Sequence, residues 1–281
     1  MLSATIEPSG TLTFSQRLVS PAVYLDHWAL REISESEDLS GRFSRALEQC
    51  GGTLALSWAN LIDFTKITRE GQLRLTEAFI DSNIPRVFFL EAAPTIVIGR
   101  ENELLQGTVA SLAPHSDNEF FKIVLNSRTA TVKPFAARDL FEGLRGQLGA
   151  LGEEFADEFV SSVSMQRRRV TVDPSLKSRL QWKRGPTTPR ATRLINRELL
   201  RGLVLDQGRS ITRQDAIDFF HAVVPVAYCD VVLLDKHWAD KIERVRHRFS
   251  AEAIGAPLAR VISKRDGGLS AVVSLLETAP P

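Results

Sequence analysis

Short apolar runs alternate with amphipathic stretches along this chain. Residues 21–25, PAVYL, form one such run and end at Asp26. Residues 53–57 (TLALS), 86–90 (RVFFL), 229–234 (CDVVLL) and 257–263 (PLARVIS) repeat the pattern. Runs of this length and composition read as strands. Between them the apolar spacing lengthens to that of a helix. Ser40 is placed to cap a helix from Gly41 to Gln49, where Phe43, Ala46 and Leu47 share a face and Gly51 and Gly52 follow the end. Further helices are predicted from Trp58 through Thr65, over 71–82 on Leu73, Leu75, Phe79 and Ile80, over 191–204, and over 236–248. Thr212 and Asp215 form a capping-box-like start to RQDAIDFFHAVVPVAY, in which Pro225 is expected to bend the helix. A short apolar helix is predicted from Leu269 to Leu276.

Strand, helix, strand, helix is the pattern of βαβ units. It predicts an α/β protein with a central parallel sheet, flanking helices and right-handed crossovers. Residues 20–275 read as one α/β domain, with 92–190 as an insertion or helical subdomain inside it. Within that region Phe135–Leu151 is helical but interrupted by glycines, and Phe155–Val163 reads as a further piece. The segment 183–190, KRGPTTPR, reads as a loop, either a lid or a linker. Residues 1–19 read as an edge hairpin or a loose arm.

Composition narrows the classes. A hydrophobic fraction of 43% in 281 residues can build a sizeable core and argues against disorder. No run of eighteen apolar residues suggests a membrane span, and the first residues do not read as a secretory signal. The expected compartment is the cytoplasm. Cys50 and Cys229 give neither a disulfide framework nor a zinc spacing. A net charge of +1, from 35 basic and 34 acidic residues, selects no partner by itself. Charge is nevertheless segregated: residues 164–184 carry Arg167, Arg168, Arg169, Lys177, Arg179, Lys183 and Arg184 against a single acid, Asp173. Neither a GxxxxGK phosphate loop nor a GxSxG elbow is present.

The candidate chemistry lies in aspartates. Asp26 ends the first apolar strand in VYLDHW, and Asp63 lies on the helix after the second. Asp218, Asp230 and Asp235 lie in DAIDFFHAVVPVAYCDVVLLDKHW. In open parallel sheets, ligands bind beyond the carboxyl ends of the strands, where Asp26 and Asp235 are expected. Asp218 precedes His221 by three residues and shares its side of the helix.

YLDHWAL and the late pairing of a helix aspartate with VVLLD resemble the PIN-domain ribonucleases, including toxin nucleases of bacterial toxin–antitoxin pairs. The resemblance covers mainly residues 21–66 and 212–240. It implies a three-layer α/β/α fold with Asp26 as the first acid and Asp235 as the last. Asp218 matches the helix acid, with Asp215 as the competing register. Asp63 is the nearest candidate for the second acid, with Asn60 one turn earlier on the same face. The chain is longer than a minimal toxin nuclease, and His27 stands where asparagine is commonest.

The implied chemistry is metal-dependent phosphodiester hydrolysis. Crowded carboxylates need a compensating cation, and Mg²⁺ or Mn²⁺ prefers oxygen ligands. Asp26, Asp218, Asp235 and Asp63 are the expected ligands, with His221, Asn60 and Asp230 supporting them. Lys236 would contact a phosphate. Arg167, Arg168, Arg169, Lys183 and Arg184 would hold an RNA or DNA backbone, and Trp182 would stack on a base. An antitoxin-like protein partner and a homodimer are family-level expectations. Two readings remain open: a nuclease, with RNA the favoured substrate, or a non-catalytic module of the same fold that binds nucleic acid or a partner protein. Simpler roles also exist for these residues. Asp26 can cap the following helix, Asp63 can be a surface acid, and the basic run can be a solvated face.

Overall fold

Each of the five apolar runs contains a strand. The structure, a computed structural model, describes residues 1–6, 12–107, 113–117, 137–180 and 191–280. Strands β1 (Leu2–Ile6) and β2 (Leu12–Gln16) form an antiparallel hairpin. Strands β3 (Ala22–Leu25), β4 (Thr53–Ser57), β5 (Val87–Leu90), β6 (Val231–Leu233) and β7 (Arg260–Ile262) form a parallel sheet in the order β5-β4-β3-β6-β7. The chain therefore builds outward from β3 in one direction through β5. It then crosses back to build β6 and β7 on the other side. A switch point of this kind opens a crevice between the carboxyl ends of β3 and β6.

Burial on both faces explains why the strands read as unbroken apolar runs. Val23, Leu25, Leu54, Leu56, Phe89 and Leu233 face one apolar cluster. That layer contains α1 (His27–Glu35), α2 (Glu37–Gln49), α4 (Glu70–Asn83) and α11 (Gly268–Glu277). Tyr24, Ala55, Phe88, Leu90 and Val232 face the opposite cluster. Its helices include α5 (Pro94–Gln106), α6 (Ala137–Val172), α8 (Ala191–Leu205), α9 (Arg213–Tyr228) and α10 (Lys236–Ala251). Helix α3 (Trp58–Thr65) follows β4, and the short α7 (Leu176–Arg179) follows α6. The result is a three-layer α/β/α fold.

Two boundaries differ from the sequence expectation. Helix α2 begins at Glu37, because Ser36 rather than Ser40 caps it by accepting from Leu39 N. The two helical pieces expected before and after residue 151 belong to one 36-residue helix, α6. It packs against α3, α8 and α9. At residues 1–19 the hairpin, not the loose arm, is the observed alternative. Gln16 docks it to the sheet edge, donating to Phe89 O at 3.2 Å and accepting from Phe89 N at 2.8 Å.

Gly152, in the gap between the two expected helical pieces, is a contact point within α6. A Cβ at Gly152 would collide with Ile62 Cδ1 and lie 2.7 Å from its Cγ1. Gly152→Ala is therefore expected to destabilise the fold by about 1–3 kcal/mol, as overpacking does. A lower urea midpoint with unchanged slope would show it; an unchanged midpoint would mean that α3 yields freely.

Candidate acidic site at the sheet switch point

Four carboxylates arrive at this rim from four elements. Asp26 follows β3 and caps α1, its Oδ1 accepting from Ala29 N at 3.3 Å. Asp235 follows β6 and caps α10, its Oδ1 accepting from Trp238 N at 2.8 Å. The ladder joins these ends: Leu25 pairs with Leu233, and Asp26 N donates to Leu233 O at 3.3 Å. Asp218 comes from α9. Trp238 ties it to Asp235 by donating its indole N–H to Asp218 Oδ2 at 3.1 Å. Asp63 comes from α3 and is buried, with 3% exposure.

Asp63 ends a buried polar chain. His221 Nε2 lies 3.1 Å from Asp63 Oδ2, and His221 Nδ1 lies 2.6 Å from the Tyr24 hydroxyl. Tyr24 reaches Ser57 Oγ at 2.8 Å, and Lys66 Nζ donates to the other oxygen of Asp63 at 2.9 Å. With both neighbours placed this way, His221 Nε2–H donates to the carboxylate. Asn60 braces the same corner: its Nδ2 donates to Leu25 O at 2.9 Å and its Oδ1 accepts from Ser57 N at 2.9 Å. It positions α3 against the end of β3.

These surroundings move the acids apart in strength. Burial pushes the Asp26 carboxyl well above the ordinary carboxylate range, and Asp235, Asp218 and Asp63 add to that rise, against the Ala29 hydrogen bond. Asp218 is pushed up to about 6, first by burial and further by Asp235 and Asp63, against the Gln214 hydrogen bond and His221. For Asp63, burial acts upward but is outweighed by the His221 hydrogen bond and charge together with Lys66 and His27, leaving it at about 2. Asp63 therefore has its counter-charges within the fold, whereas Asp26 and Asp218 bear the crowding. Among the described residues, no group of three or more His, Cys, Asp or Glu side chains is arranged so as to hold a metal ion.

A pH dependence follows from Asp218. Its folded-state value lies above the ordinary 3.8, so its proton favours the folded state. That contribution is complete below about pH 4 and is lost as pH rises through about 6. After allowance for solvent screening it amounts to roughly 2 kcal/mol or less. Thermal scans in EDTA at low ionic strength should show a midpoint that declines across this window. Asp218→Asn should flatten the decline; an equally steep decline in that variant would place its cause elsewhere.

The remaining sequence candidates divide clearly. Asp230 does not join the rim: it lies at the opposite end of the strands, where its Oδ2 accepts from Ala22 N at 2.7 Å. Being one residue before β6, it cannot reach the carboxyl end of that strand. Asp215, the competing register, accepts from Thr212 in the α9 capping box and pairs with Arg209 through both oxygens. Arg167 is turned inward, donating to Leu203 O from Nε at 2.9 Å and Nη2 at 2.8 Å and to Arg209 O from Nη1. Arg168 and Arg169 are exposed near the end of α6, and Lys236 is exposed on the first turn of α10. Trp182, Lys183 and Arg184, with the loop 183–190, lie outside the described residues.

Sequence reasoning missed Tyr24, Lys66 and Trp238. Tyr24 was hidden within an apolar run, although its hydroxyl needs a partner once buried. Lys66 is three residues beyond Asp63, a spacing that brings helical side chains together. Trp238 stands three residues after Asp235, where the N–H bonded by a helix cap is found. Glu91, at the end of β5, was also overlooked. It accepts from Ala93 N at 2.9 Å and from Trp58 Nε1 at 3.3 Å, and serves its own loop.

Comparison with protein-family models, with curated proteins and with solved structures returns no match. The molecule is thus defined by its own architecture, a three-layer α/β/α protein with an acidic rim at the switch point of a parallel sheet. Among the described residues, no helix is long and apolar enough to cross a membrane.

Proposed function

We propose that this chain is a divalent-metal-dependent nuclease of the PIN-like kind, hydrolysing phosphodiester bonds, with RNA the favoured substrate. One observation carries the reading: Asp26, Asp63, Asp218 and Asp235, from four separate elements, gather where β3 and β6 end on either side of the switch point. Carboxylates brought together without full compensation favour a cation, and an all-oxygen donor set suits Mg²⁺ or Mn²⁺. Such an ion supplies a polarised water and charge neutralisation for in-line attack at phosphorus.

The chain's own groups have distinct parts in this proposal. Asp26 and Asp235 are fixed by their helix caps, which engage one oxygen of each at the sheet rim. Asp218, oriented by the Trp238 indole, would supply the third oxygen donor. Asp63, held ionised by His221 and Lys66, completes the negative field from the α3 side. Lys236, exposed beside Asp235, would meet a substrate phosphate.

Engagement of Asp63 with both His221 and Lys66 favours a second reading, a module that binds nucleic acid or a partner protein without turnover. A cleavage assay on single-stranded RNA separates the two. The nuclease reading expects cleavage with Mn²⁺, none with EDTA, and a loss of at least about a hundredfold in Asp235→Asn. Cleavage indifferent to both EDTA and the substitution would sink the mechanism; RNA binding without any cleavage would favour the module.

A further inference from the structure

A cavity of about 290 Å³ lies between α8 and α10, beside the acidic rim but lined by other residues. Arg201 from α8 and Lys241, Arg244 and Arg248 from α10 line it, facing the carboxylates Glu198 and Asp206. Four cations against two carboxylates leave two positive charges for a ligand to balance. Arg248 Nη1 lies 2.9 Å from Glu198 Oε2, and Arg201 Nη1 lies 3.8 Å from the same oxygen.

The lining is left incomplete in a particular way. Lys241 Nζ, Arg201 Nε and Glu198 Oε1 are buried and have no hydrogen-bond partner. Lys241 Nζ instead rests 4.0 Å from the centroid of the Trp238 ring. A charged donor removed from water with no acceptor costs free energy that an anionic oxygen would recover. Burial moves the groups accordingly: it lowers Lys241, and it raises Glu198 against the pull of Arg248 and Arg201.

We propose that this cavity is a binding site for a phosphate monoester, with Lys241 and Arg201 contacting its oxygens and Arg244 completing the charge at the mouth. Two net positive charges match the dianion of a terminal phosphate better than the single charge of a backbone diester. Arginine and lysine together provide the planar and point-charge donors that phosphate oxygens accept. The phosphate can belong to the end of a nucleic-acid strand or be free in solution. None of the four rim aspartates takes part, so the site stands or falls apart from the nuclease reading.

Calorimetry on the full chain in EDTA tests it, using inorganic phosphate and three trinucleotides: 5′-phosphorylated, 3′-phosphorylated and unphosphorylated. Inorganic phosphate should bind saturably at one site. Lys241→Gln and Arg244→Gln should each weaken it at least about fivefold, while Asp26→Asn should leave it unchanged. Arg244 is exposed, so its variant decides the matter if Lys241→Gln does not fold. Tighter binding of a phosphorylated trinucleotide than of the unphosphorylated one assigns the site to a strand end. Equal binding of all three, with inorganic phosphate bound, assigns it to free phosphate. No saturable phosphate binding, or binding that both variants retain in full, overturns the proposal.

Discussion

Asp26→Asn is expected to raise the thermal midpoint of the metal-free protein while removing the proposed cleavage by at least about a hundredfold. Asn caps a helix as well as Asp does, so the bond from Ala29 N is retained. What disappears is a carboxylate that burial and three acidic neighbours drive toward its protonated form. Because the folded-state value lies above the ordinary 3.8, the wild-type penalty is absent below about pH 4 and grows as pH rises. The variant's advantage should therefore be small in acid and clear at neutral pH. Saturating Mn²⁺ should reverse the ranking, since a ligand at a hundred times its Kd stabilises the state that binds it by about 2.7 kcal/mol. Differential scanning calorimetry with EDTA and with Mn²⁺ measures both arms. A variant less stable than wild type at pH 7.5 in EDTA would mean that the Asp26 charge supports the fold rather than straining it.

His221→Ala should produce the largest loss of stability. The substitution leaves Asp63, 3% exposed, without its histidine partner and removes the Nδ1 partner of Tyr24, which is fully buried. Leaving a buried carboxylate and a buried hydroxyl each without a hydrogen-bond partner costs about 3–5 kcal/mol together. For a domain of this size that corresponds to a fall of roughly 5–15 °C in Tm. Tyr24→Phe removes one hydroxyl and keeps the Asp63 contact, so it should cost less, about 1–3 kcal/mol. The cost of His221→Ala should also shrink in strong acid. The stabilisation that Asp63 provides is complete above about pH 4 and is lost as pH falls through about 2. Thermal scans from pH 7 to pH 2 provide the comparison. A Tm loss of less than about 2 °C at neutral pH would show that the pair contributes little.

Much of the scaffold was legible before the structure. Each strand of the parallel sheet lies in an apolar run, and Asp26 and Asp235 were expected at strand ends, where they lie. Of the two registers, Asp218 bonds to Trp238 next to Asp235, while Asp215 is engaged by the α9 cap and Arg209. The errors are informative. Ser36 won the cap from Ser40 because a second helix, α1, ends immediately before it, which propensity at Ser40 does not reveal. Gly152 lies between the two helical pieces read from the sequence, and glycine is a poor helix former. Only the approach of Ile62 gives it a purpose. Asp230 reads in the sequence as an extra acid in a supporting position, close to the strand interior. The strand between it and Asp235 carries the two residues to opposite ends of the sheet.

By itself the chain determined the periodicities: which stretches are strands, which are helices, and which aspartates begin the helices after β3 and β6. Those features depend on neighbours within a few residues, where backbone geometry and side-chain spacing act directly. Tertiary structure alone decided the strand order, and with it the switch point that sets Asp26 beside Asp235. It also decided that His221 and Tyr24, 197 residues apart, share a hydrogen bond and that Lys241 lies over Trp238 without an acceptor. Contacts between distant segments arise from how layers pack over a sheet, and one sequence read locally carries no record of which layer each helix joins.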